Sequence, residues 1–347
     1  MKSKDLCSYA PKSRIKAGEA VDNAKYLFFT SSADENKRYT DFQFDKEAII
    51  MGTGGNATLH YHNGKFSVST DCLVLLPDPQ IKCKYLYYFF KSHMNVLEAG
   101  FKGAGLKHTN KKYIEDIEIN KVPDLITQDR IISRLDKISE NIEKLNRELG
   151  LFDSLVKARF VEMFGDPANN PKKFEEQSLK DTCKIITGNT PSRAVEEYYG
   201  DFVEWIKTDN IVSGAINPTR AVEYLSEEGM KAGRVVKEDT ILMACIAGSI
   251  ASIGRVCVTD RTVAFNQQIN AIVPKDYNPL FLYVLLQISK DYLIEDVSMA
   301  LKGILSKSKL EEKEFIVPPL ELQQQFADFV QQVDKSKYDD IRVEYKC

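Results

Sequence analysis

The sequence predicts an α+β protein: two similar domains, each a mixed sheet with helices, joined by a long coiled-coil helix, with a second, shortened helix at the C-terminus. Three observations predict this. A narrow apolar seam repeats every 3.5 residues near the middle of the chain. The stretches on either side of it share one layout. Each flank holds Val/Ile/Leu-rich runs bounded by Gly, Asn, Asp and Pro, the signature of strands, with a helical pattern after each set.

The seam consists of Ile131, Leu135, Ile138, Ile142, Leu145, Leu149, Phe152 and Val156, at alternating steps of 4 and 3. That is an a/d heptad, the pattern of a helix that zips to another helix. Glu140 precedes Lys144 by four residues, as Glu143 does Arg147 and Asp153 does Lys157, the favoured orientation for support along a helix. Gly150 weakens the run by about 1 kcal/mol relative to Ala, and Asp166-Pro167 predicts its stop. From 129 to 164 the rod is roughly 50 Å long at about 1.5 Å per residue. A core-facing helix shows a wider stripe, so this one calls for a partner helix.

The repeat supplies a candidate. "AIIMGTGGNATLHYHNGKFSVSTDCLVLLP" (48–77) has its counterpart in "TILMACIAGSIASIGRVCVTDRTVAFNQQINAIVP" (240–274), and "KYLYYFFKS" (84–92) in "LFLYVLLQIS" (280–289). "FKGAGLKHTNKKYIEDIEI" (101–119) matches "LKGILSKSKLEEKEFIV" (301–317), and "VPDLITQDRI" matches "VPPLELQQQF". The offset stays between 192 and 200 residues, from Met51 to Met243 and from Lys102 to Lys302. The predicted organisation is a first domain over 1–126, the central helix over 127–166, a second domain over 167–318 and a distal helix over 319–347. Phe326, Val330 and Val333 continue an apolar seam in that last helix, at steps of 4 and 3. Beyond Val333 the seam fades, and the helix is expected to be less than half as long as the first. Phe152 and Val156 are then expected to lack a cover in an isolated monomer.

Composition narrows the function. The 347 residues are 43% hydrophobic and 28% charged, ordinary for a globular protein. No apolar run approaches the ~20 residues of a membrane span, and the N-terminus carries no apolar leader, so a cytoplasmic protein is expected. The seven cysteines never come closer than eleven residues apart, which points to free thiols. Net charge is −3, with an excess of three positive charges over residues 1–124 and five negative over 168–347. A nucleic-acid surface must therefore be a local patch.

Enzyme motifs are missing. There is no GxxxxGK[ST] and no GxSxG, and "GTGGN" (52–56) runs into a strand, unlike a dinucleotide loop. Glu311-Glu312-Lys313 fits a bare nuclease ExK, a common triplet in so charged a chain. His60-x-His62 has the spacing of two ligands on a strand face, but no Cys or His follows at ligand spacing, so no metal site is expected.

What remains is binding. "KGAGLKHTNKK" gathers Lys102, Lys107, His108, Asn110 and Lys111 among glycines that let backbone N–H groups approach phosphates. The repeat places Lys302 and Lys307 at the matching site. Asn189, Thr190, Ser192 and Arg193 fall in a turn, and an arginine there suits guanine. Asn266, Gln267 and Gln268 are adjacent amides suited to adenine, though only one face of a strand can point at DNA. Lys207 and Asn210 form another candidate edge. Thr53, Asn56 and His60 complete the set, in and beside a loop of small residues that also reads as a tight turn.

These pieces together resemble one family, the specificity (S) subunits of bacterial type I restriction-modification enzymes. The resemblance rests on "YLFFTSS", "LVKARFVEMFGDPANNP", "ITGNTPSR", "WIKTDNI", "FNQQINAIVP" and "VPPLELQQQFADFV" besides the segments above, and covers essentially the whole chain. It implies two target recognition domains, each reading half of a split double-stranded DNA site, and paired helices that act as spacer and docking surface. It implies no catalysis and no cofactor in this chain. Methyltransferase (M) subunits and a motor-nuclease (R) subunit would bring S-adenosylmethionine, ATP and magnesium. The family's Pro-Pro-Leu-acidic-x-Gln entrance to the first helix survives only as Pro123, Leu125 and Gln128. The shortened distal helix leaves a second reading open, an inactive or recombinable specificity cassette or regulatory protein that self-associates through its unpaired helix.

Overall fold

The computed structural model describes residues 1–119, 121–295, 297 and 303–344, with side chains to 337. The chain forms two compact units, Met1–Lys144 and Leu145–Cys347, and the long helix contributes to both.

The first unit is built on six strands, β1 (Cys7–Tyr9), β2 (Tyr26–Phe29), β3 (Arg38–Tyr39), β4 (Phe44–Gly52), β5 (Leu59–Val68) and β6 (Cys72–Pro77), in the order β1-β6-β4-β5-β2-β3. All neighbours are antiparallel except β2 and β5. Side chains alternate across a strand, and β4 is apolar on both faces. Ala48 and Ile50 join Phe29, Phe66, Val68 and Val74, whereas Ile49 and Met51 face a second cluster with Leu75, Leu86, Phe90 and Ile114. Helices α1 (Cys83–Ser92), α2 (Met94–Ala99) and α3 (Lys111–Glu115) supply that second cluster. Helix α4 (Leu125–Phe164) follows, 40 residues long and unbroken at Gly150.

The second unit repeats the plan with insertions. It contains β7 (Glu176–Ser178), α5 (Leu179–Thr182), β8 (Cys183–Thr187), β9 (Tyr199–Gly200), β10 (Val203–Ile206), β11 (Tyr224–Leu225), α6 (Glu227–Ala232), β12 (Val235–Val236) and β13 (Ile241–Ala244). There follow β14 (Ile246–Ala247), β15 (Val256–Val258), β16 (Val263–Phe265), β17 (Ile269–Pro274), α7 (Pro279–Ile288) and α8 (Lys290–Ile294). The last elements are β18 (Gly303–Ile304), α9 (Lys307–Glu312), β19 (Glu314–Ile316) and α10 (Leu320–Glu344). One sheet runs β15-β13-β17-β8 and another β12-β16-β10-β11-β9, while β14-β18 and β19-β7 form two-stranded pairs. As in the first unit, one pair is parallel, here β10 and β16.

Helix α4 ends at Phe164, two residues before Asp166-Pro167. Gly165 adopts φ +80°, and the chain leaves the helix there, a left-handed exit that glycine takes at little cost. Behind it, Phe160 and Phe164 interlock with Phe281 of α7 and Phe326 of α10, all four fully buried, with ring centroids 4.9–6.3 Å apart. Farther along, Lys337 of α10 bridges to Asp153 of α4 at 2.6 Å. Higher numbers on α10 meet lower numbers on α4, so the two run antiparallel.

Two expectations about the helices need correction. Helix α10 spans 25 residues against 40 for α4, more than half, because its backbone stays helical past Val333, where the apolar seam fades. Val156 is not bare: it packs against the core that holds Phe326 and Val330. Phe152, Leu145 and Leu149 are half-buried. Ile131 and Leu135 line a groove with Tyr85, Tyr88 and Phe89 of α1. Ile138 and Ile142, each 53% exposed, are the open stretch of the seam.

One device recurs in both units. Gln128, fully buried, accepts the Lys82 N–H at 2.8 Å and donates to the Pro123 carbonyl at 2.8 Å and the Gln80 carbonyl at 3.3 Å. Gln323, also fully buried, accepts the Asn278 N–H at 2.8 Å and donates to the Pro318 carbonyl at 2.7 Å and the Asp276 carbonyl at 3.4 Å. Lys82 and Asn278 are the N-caps of α1 and α7. Each glutamine therefore pegs the start of its long helix to the start of the domain helix beside it.

Candidate nucleic-acid interface

In the first unit the small-residue loop after β4 meets the lysine-rich loop before α3. Lys102 and His108 exchange backbone hydrogen bonds at 2.9 and 3.0 Å, closing a narrow hairpin. Gly55 donates to the Lys107 carbonyl at 2.8 Å, and Thr109 to the Thr53 carbonyl at 3.0 Å. Thr53, Asn56, Lys102, Lys107 and His108, separated by half a hundred residues in sequence, thus lie on one edge. All but Thr53 are exposed, and the Thr53 hydroxyl donates to the Asp71 carbonyl at 3.0 Å.

The other candidates of this unit are engaged elsewhere. Asn110 caps α3, its carbonyl oxygen accepting the Tyr113 N–H at 3.0 Å, a structural role for which asparagine is well suited. Lys111 pairs with Glu115 at 3.4 Å and lies over the Tyr9 ring. His60 is a correction. It is buried on β5 against Phe29, with Nδ1 at 2.9 Å from Glu35 Oε1 and Nε2 at 3.2 Å from the Ser32 carbonyl, so neither nitrogen is free for a base edge.

In the second unit the turn after β8 touches the turn between β16 and β17. A Cβ added at Gly188 would lie 2.0 Å from the Asn266 carbonyl oxygen, so only glycine permits this approach. Thr190 donates to Gln267 across the two turns, and both are exposed. Asn189 is half-buried: its amide donates to the Ala232 carbonyl at 2.8 Å, and its oxygen is buried without a partner. Ser192 is exposed, its hydroxyl accepting the Ala194 N–H.

Asn266 and Asn210 are further corrections, because both are buried and spent on their own turns. Asn266 accepts the Gln268 N–H at 3.1 Å and donates to the Gln268 side chain at 3.3 Å. Asn210 accepts the Lys207 N–H at 2.9 Å and donates to Thr219 and the Arg220 carbonyl. Lys307 is exposed at the start of α9, with Glu311 3.4 Å away. Lys302 lies outside the described residues.

Arg193 and Lys207 are joined through a residue that the sequence did not single out. Both hydrogen-bond the Glu223 carboxylate. The Arg193 guanidinium lies 4.3 Å from the Tyr199 ring centroid and 5.2 Å from that of Trp205, and the Lys207 ammonium is 5.0 Å from the same indole. Hydrogen bonds from Lys207 and Arg193 hold the Glu223 carboxyl below its usual range. On β10, opposite Tyr224, Glu204 is buried. Burial pushes its carboxyl up, but hydrogen bonds from Arg261, Arg220 and Tyr224 outweigh that and leave it below its usual range. Arg193 and Lys207 thus form one cluster with Glu223, Tyr199 and Trp205, and cations of this kind can bind phosphates and read base edges.

Residues 1–150 and 171–342 match the family model of the type I restriction modification DNA specificity domain. The chain belongs to this family. It is 24% identical over 344 residues to a putative type I specificity subunit of Mycoplasma pneumoniae, covering 94% of this chain and 86% of that one. It is 31% identical over 158 residues to the HindI specificity subunit of Haemophilus influenzae, covering 44% of this chain but 33% of the relative. With the MjaIX specificity subunit of Methanocaldococcus jannaschii it shares 28% identity over 188 residues, 43% of that relative. The match thus spans less than half the length of these two relatives. The S subunit from M. genitalium has the same fold, with a TM-score of 0.61 at 17% identity, over 99% of this chain and 91% of that one. Family membership covers both units and agrees with the resemblance read from the sequence. Among the described residues no helix is long and apolar enough to cross a membrane, and no group of three His, Cys, Asp or Glu could hold a metal ion.

Proposed function

We propose that the chain is the non-catalytic, sequence-reading subunit of a type I restriction-modification complex and that each domain reads one half of a split DNA site. One observation carries the reading: the same loop pairing recurs in both units. In the first, Gly54 bridges to His108; in the second, Ile246 and Ala247 pair with Ile304 and Gly303. Each pairing sits between the segment after a central strand, β4 or β13, and the segment before a short helix. A duplicated edge fits a bipartite target, with the bases between the halves left unread.

On this reading α4 and α10 carry the methyltransferase subunits. Those subunits, with the motor-nuclease subunit, bring S-adenosylmethionine, ATP and magnesium. The test is co-expression with the cognate methyltransferase and mapping of modified adenines in the host genome. A split motif supports the reading, and methylation by the purified chain alone refutes it. Lys102→Ala and Lys107→Ala should each lower the salt dependence of binding by about one counterion.

The open Ile138–Ile142 stretch favours a second reading, an inactive or recombinable cassette or regulatory protein that self-associates there. Concentration-dependent dimerisation together with an unmethylated genome would select it.

A further inference from the structure

The hairpin of the first unit ends in a side chain that neither solubility nor packing explains. Leu106 is 70% exposed, between Lys102 and Lys107, which have no ion-pair partner among the described residues. Its backbone is held on both sides: Lys102 and His108 close the hairpin, and Gly55 bonds to the Lys107 carbonyl. Gly103, at φ +147°, lies so close to the Leu106 carbonyl that an added Cβ would stand 2.9 Å from it. The second unit also exposes an apolar side chain on this segment. Ile304, on the strand paired with β14, is 52% exposed. An exposed branched apolar side chain thus stands on the corresponding segment of each half, though not at the same register, and in the first it stands between two free cations.

A polyanion that also offers an apolar group answers both properties. The major groove of duplex DNA admits a two-stranded ribbon, and the one apolar group it presents is the C5-methyl of thymine. We propose that Leu106 packs on a thymine methyl in the half-site read by the first unit, with Lys102 and Lys107 on flanking phosphates, and that Ile304 does the same in the other half-site. This rests on the reading that the chain binds duplex DNA.

The experiment uses the full chain with its methyltransferase. Its probe is the methylated motif recovered from the host genome, or a pool selected from random duplexes by binding. Duplexes are made with thymine or with uracil, which lacks the methyl, in one half-site at a time. For the wild type, uracil in one half-site should weaken binding about fourfold, the worth of one buried methyl. Leu106→Ala should lose a similar factor with thymine and then be indifferent to uracil in that half-site. Ile304→Ala should show this pattern in the other half. Thermal midpoints should match the wild type, since both side chains are exposed. Equal sensitivity of wild type and Leu106→Ala to uracil overturns the proposal. So does loss of methyltransferase copurification by Leu106→Ala, which would place the leucine on that protein instead. If the wild-type complex selects no duplex at all, the DNA-reading function itself fails, and the inference with it.

Discussion

Replacing Gln128 by leucine tests whether one buried amide pegs α4 to the first unit. Leucine fills similar space but neither donates nor accepts. The substitution strands the Lys82 N–H and the carbonyls of Pro123 and Gln80, now bonded at 2.8, 2.8 and 3.3 Å. A stranded buried polar group costs about 1–3 kcal/mol. Gln80 is exposed, so its carbonyl can turn to water, and the net loss should be about 2–4 kcal/mol. Gln323→Leu strands the equivalent three groups and should lose a similar amount. The chain's single tryptophan, Trp205, lies in the second unit, so urea unfolding followed by its fluorescence reports that unit and should register Gln323→Leu. Amide hydrogen exchange at Lys82 reports the first unit and should accelerate in Gln128→Leu by the factor matching the lost stability. If Gln128→Leu lies within about 0.5 kcal/mol of wild type, the ordinary range for surface changes, the peg carries no weight. The same result with unchanged exchange at Lys82 would show that α1 is held some other way.

Further expectations follow from burial and charge. Phe160→Ala should cost about 3–5 kcal/mol in urea unfolding, because it opens a cavity among three other buried rings. Burial pushes the Cys72 and Cys183 thiols up to about 11 and those of Cys83, Cys245 and Cys257 to about 12. A thiol reagent at pH 8 should therefore leave these five unreacted until the protein unfolds. Glu204 has a folded-state pKa below its unfolded value. Its contribution is complete above the ordinary glutamate range and is lost as pH falls through the folded value, so Glu204→Gln should flatten the acid limb of the stability curve. Ile138→Lys and Ile142→Lys should leave stability within about 0.5 kcal/mol of wild type, yet weaken copurification with the methyltransferase if that stretch is where it docks.

Periodicity made the architecture legible because period and spacing are properties of the chain itself. The heptad from Ile131 to Val156 marked α4, and the near-constant offset marked two copies of one plan. Both signals survive without knowledge of what each side chain touches. The candidate site was legible only where a residue's neighbours in sequence are also its neighbours in space, as in the hairpin of Lys102, Lys107 and His108. Three kinds of misreading have physical causes. Asn266 reads as an amide for adenine and Asn210 as part of a candidate edge, but what suits an amide to a base edge also suits it to close a turn, and sequence cannot separate the two uses. His60 can be a contact residue only if its side of β5 is open. The sheet of the first unit has apolar clusters on both faces, so the side opposite Leu59 and Tyr61 is packed as well. Glu223 is not legible in the sequence, because its partners, Arg193 and Lys207, stand 30 and 16 residues away, and nothing local marks a carboxylate as shared.

The seam of α4 shows why a strict heptad alone does not name its cover. Ile131 and Leu135 lie against α1 within the first unit, while Val156 lies against the core formed with α7 and α10 in the second. The pattern that predicted one continuous partner helix is thus met by different surfaces at its two ends. What the heptad requires is an apolar surface every 3.5 residues, and a domain helix satisfies it as well as a coiled-coil partner does. Ile138 borders the same groove beside α1, and Ile138 and Ile142 are the two seam positions left more than half exposed. They keep the full apolar character of the seam at about half exposure, and an exposed apolar stretch of this kind marks an interaction surface. That combination marks them, more than the buried positions on either side, as the stretch of α4 to mutate first when its partner is sought.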